Sequence, residues 1–174
     1  VASGATDGTF AATGATPTVT WDGLSRYAFT VNGAIEVTGL NVNYPDANGL
    51  TVSAGAVVTQ LDNVDFNSGP GSNTYLRLLE TAAVAYTFTG HDFDANCQYN
   101  VSTASGTSAS ASMVGASGAM SGETYEDDEG GGTVSPGAIT WADQKVWDGS
   151  TDTDWNEPTN WSGNSVPRAI STAR

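Results

Sequence analysis

Three six-residue stretches of this chain can be laid over one another. Val37-Thr38-Gly39-Leu40-Asn41-Val42, Leu61-Asp62-Asn63-Val64-Asp65-Phe66 and Phe88-Thr89-Gly90-His91-Asp92-Phe93 each read apolar, two turn-formers, a larger residue, polar, apolar. Their first positions lie 24 and then 27 residues apart. A recurrence of that length in a strand-rich sequence predicts a solenoid, each repeat forming one coil stacked on the last. His91 breaks the pattern, standing where the other copies have Leu40 and Val64.

Composition agrees with strands rather than helices. Gly, Ser and Thr supply 61 of the 174 residues, and Lys and Arg together only 5. Val, Thr and the aromatics favour strands, and no 12-residue window carries an apolar stripe of helical period. The expected fold is all-β: a short right-handed parallel β-helix of about four to six coils, obtained by dividing the repeat region by its spacing. A β-sandwich is the alternative, because alternating strands at short intervals suit it too.

The chain divides into three parts. Residues 1–17 form a low-complexity arm with Gly4, Gly8, Gly14 and one aromatic, Phe10. Residues 18–141 form the all-β domain. Within it, Thr18–Val31 reads strand, turn, strand around Asp22-Gly23, Tyr44–Gly49 reads as a turn, and Leu76–Glu80 suits either a strand or one helical turn. The run from Ser102 to Ser112 is small-residue strand or loop. Residues 142–174 form a Trp-rich tail or the start of a further module, with Trp147, Trp155 and Trp161; Trp147-Asp148-Gly149 there repeats Trp21-Asp22-Gly23.

The tail segments Trp147-Asp148-Gly149, Asp154-Trp155-Asn156, Asn160-Trp161-Ser162 and Val166-Pro167 together resemble a motif at module junctions in large bacterial surface and secreted proteins. Tyr99-Asn100-Val101, Gly122–Asp128 and Ile139-Thr140-Trp141 resemble the closing section of right-handed parallel β-helix regions in such proteins. The resemblance covers roughly Ala34 to Pro167. It implies a surface, adhesive or matrix component, normally embedded in a much longer chain.

The net charge of −14 excludes a phosphate-binding basic face, so nucleic acid is not an expected partner. An anionic membrane surface is disfavoured for the same reason, and no apolar run is long enough to span a bilayer. Cys97 is the only cysteine, so no intrachain disulfide can form, and the residue reads as a small core side chain. A chain opening at Val1 without a signal peptide reads as processed or cut from something longer.

Catalytic constellations are scarce. A hydrolytic triad needs a base, and His91, the only histidine, lies inside a strand pattern and reads as structural. A β-helix glycoside hydrolase needs two facing carboxylates, for which Asp62, Asp65, Asp92 and Asp94 in neighbouring repeats are the candidates. A lyase needs a basic residue, and Arg77 is the only Lys or Arg between Tyr27 and Gln144. The expectation is therefore no enzyme. The run Glu126–Glu129 reads as a solvated loop. The carboxylates Asp148, Asp152, Asp154 and Glu157 are spaced closely enough for a structural calcium ion, the one cofactor the sequence leaves open, or else serve turns. Trp155, Trp161 and Tyr75 are the candidate sugar-stacking aromatics.

The favoured function is structural. Solenoid ends are strand edges able to pair with another copy. The chain reads as an extracellular or cell-surface bacterial subunit that joins copies of itself into a filament or layer by strand addition through residues 1–17 or 139–174. A surface adhesin or carbohydrate-binding module, with glycans as partners, is the alternative.

Overall fold

The three hexads lie directly above one another. Val37 pairs with Leu61, Val42 with Phe66, and Phe66 with Phe93, all in parallel register. The structure is a computed structural model; it describes residues 8–12, 16–20, 22–69, 71, 74–127, 138–142, 144–145, 151–157, 160 and 172–173.

Each coil contributes a strand to each of three faces. The first coil holds β1 (Thr9–Ala12), β2 (Thr18–Val19) and β3 (Tyr27–Val31). The second holds β4 (Ala34–Thr38), β5 (Asn41–Asn43) and β6 (Pro45–Val52), and the third β7 (Val57–Asp62), β8 (Asp65–Asn67) and β9 (Thr74–Leu78). The fourth holds β10 (Ala85–Thr89), β11 (Asp92–Phe93) and β12 (Tyr99–Thr103). A fifth starts with β13 (Ser110–Val114) and continues as single bridges, Ser117 to Asp92 and Asp127 to Ser102. β14 (Ile139–Trp141) stacks on β13. Beyond it β15 (Gln144–Lys145) pairs in parallel with β16 (Thr172–Ala173).

Every ladder among the described residues is parallel. The chain is thus an all-β parallel solenoid of about five turns. The β-sandwich alternative is overturned, because its sheets would be antiparallel. Face two runs unbroken as β2-β5-β8-β11 and face three as β3-β6-β9-β12. Face one is divided into β1-β4-β7 and β10-β13-β14.

The hexad is the corner between faces one and two. Its third residue adopts the left-handed conformation in every copy: φ is 75° at Gly39, 51° at Asn63 and 68° at Gly90. Gly and Asn occupy that region at least cost, which explains their place in the pattern. The fourth residue then turns inward, and Leu40, Val64 and His91 have no exposed surface. Corner amides bond along the axis: Gly39 N donates to Asp62 O at 2.9 Å, Asn63 N to Thr89 O at 2.7 Å, and Gly90 N to Val114 O at 2.8 Å. A fourth copy, Met113–Gly118, follows the same path with Gly115 at φ 64°.

Inside, like stacks on like. Phe29, Leu50, Leu76 and Val101 form one column, and Val42, Phe66 and Phe93 another. The Phe66 and Phe93 rings are parallel within 1°, with centroids 5.2 Å apart. Each fully buried Leu or Phe contributes about 1.5–3 kcal/mol by leaving water.

Two local expectations change, and one open alternative is resolved. The Tyr44–Gly49 turn is not a connection between elements: Pro45 already belongs to β6, and the turn chemistry makes a bulge. Register jumps there from Tyr27 opposite Pro45 to Phe29 opposite Leu50, and the Asp46 side chain accepts from Asn48 N at 2.8 Å. Leu76–Leu78 is strand, not helix. Thr9–Ala12, inside the expected arm, forms the first ladder strand on face one. The remainder of residues 1–7 and most of the Trp-rich tail, with Trp21, Trp147 and Trp161, lie outside the described residues.

Candidate functional site

Of the four aspartates of the hydrolase reading, Asp65 and Asp92 lie in face-two strands, Asp62 ends β7 on face one, and Asp94 follows β11. Phe66 and Phe93 point into the core, so Asp65 and Asp92, next to them in the chain, project outward. Asp65 lies opposite Asp92 in the ladder, at one strand spacing of roughly 4.8 Å. Partial burial, then the negative charge of Asp92, raises the Asp65 carboxyl above its ordinary value. Asp92 accepts from Ser117 Oγ at 2.6 Å. Asp94 accepts from Ala95 N at 2.7 Å, and Asp62 from Thr89 N at 2.9 Å and Gln60 Nε2 at 3.1 Å. Asp65 and Asp92 stand side by side on one sheet.

Tyr75, expected as a sugar platform, is wholly buried. Its ring packs against Phe66 at 5.7 Å and Phe93 at 6.3 Å. Its hydroxyl accepts from Gly69 N at 3.1 Å and donates to Ala95 O at 2.9 Å. Burial pushes the phenol up to about 12. The strand alternation that turns Leu76 and Leu78 inward would turn Tyr75 outward, but its ring sits against Phe66, Phe93 and Gly69 instead. Trp155 is 52% exposed. Trp161 lies outside the described residues.

Of the calcium candidates, Asp148 lies outside the described residues. Asp152 Oδ1 accepts from Asp154 N at 2.7 Å and from Asn160 Nδ2 at 2.8 Å, and Asp154 Oδ1 accepts from Asn156 N at 2.9 Å. Asn160, fully buried, also accepts from the amides of Thr151 and Asp152. These are turn-closing bonds of the Asx type. Among the described residues no three His, Cys, Asp or Glu side chains gather to hold a metal ion. In the acidic run, Glu126 accepts a hydrogen bond from Trp141 Nε1 and Asp127 joins the last rung of face three; Asp128 and Glu129 lie outside the described residues. No helix among the described residues is long and apolar enough to cross a membrane.

His91 is fully enclosed. Burial lowers its imidazole to about 4, with Asp62 and the Thr89 carbonyl opposing. Cys97 is half-buried, and its amide meets Met120 Sδ at 3.3 Å.

Three polar residues with larger roles carry no motif. Arg26 donates to Pro45 O at 3.0 Å, Ser68 O at 2.7 Å and Gly69 O at 3.5 Å, tying the first coil to the next two. Glu80, 8% exposed, accepts from Gly55 N at 2.8 Å, Thr81 N at 2.8 Å and Ala82 N at 2.7 Å. Asn100, buried, donates to Met120 O at 2.7 Å and Gly122 O at 2.9 Å, and accepts from Val101 N at 2.5 Å. Their partners are backbone groups, which leave no signature in residue types.

Comparison with protein families, with curated proteins and with solved structures finds no match. The likeness to bacterial surface proteins rests on the quoted motifs alone.

Proposed function

We propose that this chain is a non-catalytic structural protein of the bacterial exterior, a subunit that joins copies of itself into a filament or layer. The observation that carries this reading is the set of open ladders at one end of the solenoid. Among the described residues β1, β2 and β3 each have one strand neighbour, so within that set all three faces end at the same level. A parallel solenoid edge accepts another parallel strand without change of register, which is the geometry of strand addition. A head-to-tail contact of this kind need not close, and it produces fibres. We assign the coils a right-handed path, the hand that parallel crossovers take almost always. The net charge of −14 keeps free subunits apart and favours assembly where salt or cations screen it.

Electron microscopy and light scattering of the intact protein test this. Filaments or sheets that disappear on removal of residues 1–17 or 139–174 support the reading. A monodisperse monomer at high concentration, or assembly unchanged after both deletions, refutes it. The adhesin alternative keeps one observation in its favour, the exposed Trp155. Glycan binding abolished by Trp155→Ala would favour it instead.

A further inference from the structure

His91 fills a position that the rest of its column gives to Leu40 and Val64. Its ring centroid is 5.5 Å from Phe88, 5.7 Å from Phe66 and 6.0 Å from Phe93. Val64 N reaches Nδ1 at a long 3.5 Å, and Nε2 is buried with no hydrogen-bond partner. A neutral imidazole packs there as a flat, largely apolar plate. An imidazolium would bring a full charge into an aromatic core and turn the Nδ1 acceptor that faces Val64 N into a second N–H donor, which is costly.

The same residue sits at the one discontinuity on face one. Elsewhere on that face neighbouring strands form continuous ladders, but β7 and β10 belong to separate sheets. Two bonds cross between them at the corner. One is Asn63 N to Thr89 O at 2.7 Å, and the other is Thr89 N to the Asp62 carboxylate at 2.9 Å. The second is a side-chain substitute for a ladder bond.

The charged groups around the ring are few. On β7, Asp62 is the carboxylate that acts on it. On β8 and β11, Asp65 and Asp92 lie on the outward side of strands whose phenylalanines face in. β9 presents Tyr75, β10 presents Tyr86 and Phe88, and β13 presents Met113, all buried. Trp141 of β14 reaches Phe93 at 6.2 Å and is itself bonded to Glu126. A proton on His91 therefore finds compensation only from the Asp62 carboxylate, which also holds the Thr89 amide, and from the Thr89 carbonyl, and burial outweighs both.

We propose that the β7–β10 junction is an acid-operated joint, in which protonation of His91 opens the solenoid locally, at the face-one corner between its third and fourth coils, while the face-one ladders on either side and the β9–β12 ladder of face three stay closed. Opening admits water to the ring and restores its ordinary basicity. The closed form holds the imidazole at about 4 against 6.5 in water. Between those values the open form binds more protons, so closure is at full strength above pH 6.5 and weakens as pH falls toward 4. At pH 5 the opening equilibrium shifts by about thirtyfold relative to pH 7.5.

Amide hydrogen exchange on the intact protein at pH 7.5 and pH 5, corrected for intrinsic rates, tests the joint. The expected result is an approximately thirtyfold loss of protection at Asn63, Val64, Thr89 and Asp92, with the amides of Val52 and Met113 unchanged. His91→Leu restores the aliphatic residue of the repeat, and its protection should not vary between the two pH values. No loss in the parent protein, loss spread evenly over all coils, or the same loss in His91→Leu overturns the proposal. Should that variant not fold, the ring's own NMR titration decides. A midpoint well below 6, tracked by the Asn63 and Thr89 amides, supports the joint; a midpoint near 6.5 with those amides still protected overturns it.

Discussion

A Cβ placed on Gly49 would lie 2.2 Å from the carbonyl oxygen of Tyr75, one coil away. Gly49 has φ 61° and falls in the bulge of β6, where the backbone of the third coil passes directly over it. Neither neighbour has a flexible end that can retreat, since Thr74 O is also within 2.3 Å.

Gly49→Ala should therefore combine left-handed strain with overpacking and cost roughly 2–5 kcal/mol. Gly55→Ala is the matched control: φ is 78° but nothing stands within 4 Å of its Cβ, so only the strain of about 1–2 kcal/mol applies. Urea unfolding of both variants checks the difference. Equal midpoints would show that the close passage over Gly49 is not rigid.

Phe66 touches Phe93, Tyr75 and His91 at once. Phe66→Ala should cost about 3–5 kcal/mol, the range for emptying a buried phenyl site. Phe66→Leu should cost distinctly less, because the column accepts aliphatic residues at neighbouring levels. Chemical denaturation of the pair gives the comparison.

Glu80 has its carboxyl held below the ordinary value by the amides of Ala82 and Gly55, with burial opposing. A depressed carboxyl stabilises the fold above its unfolded value of about 4.5 and loses that contribution as pH falls through the folded value. Glu80→Gln should be less stable than the parent protein at pH 7, and the gap should narrow in more acidic solution. Melting temperatures measured from pH 7 down to pH 3.5 would contradict this if the gap stayed constant.

Asn100→Ala leaves the carbonyl of Met120 without this donor in a buried site and that of Gly122 with the Tyr125 amide alone of the two it now accepts from. The expected cost is roughly 2–4 kcal/mol. Hydrogen exchange should quicken at Tyr125, whose amide closes the short 3₁₀ turn Glu123–Tyr125 onto Gly122 O at 3.2 Å.

The hexads made the corner legible because that corner makes two demands on residue type. It needs a left-handed third residue and an inward fourth, and Thr38-Gly39-Leu40 and Asp62-Asn63-Val64 state both. Met113–Gly118 meets the same geometry with Ala116 and Gly118 in place of large residues, so its periodicity is hidden. β1 was hidden for a similar reason: Ala11 and Ala12 pair well in a ladder but announce no strand. Tyr75 misleads because alternation holds along a strand and fails at a corner. The burial of His91 follows from its place in the strand pattern, while the unpartnered Nε2 and the interrupted sheet beside it exist only in three dimensions.

The bonds made by Arg26 go to carbonyl oxygens rather than carboxylates. Its partners are dipoles held in place by the coils themselves. Added electrolyte screens ion pairs between exposed charges and also the mutual repulsion of the 19 acidic side chains. The three bonds of Arg26 across the first three coils are of neither kind, so added salt leaves that rivet in place.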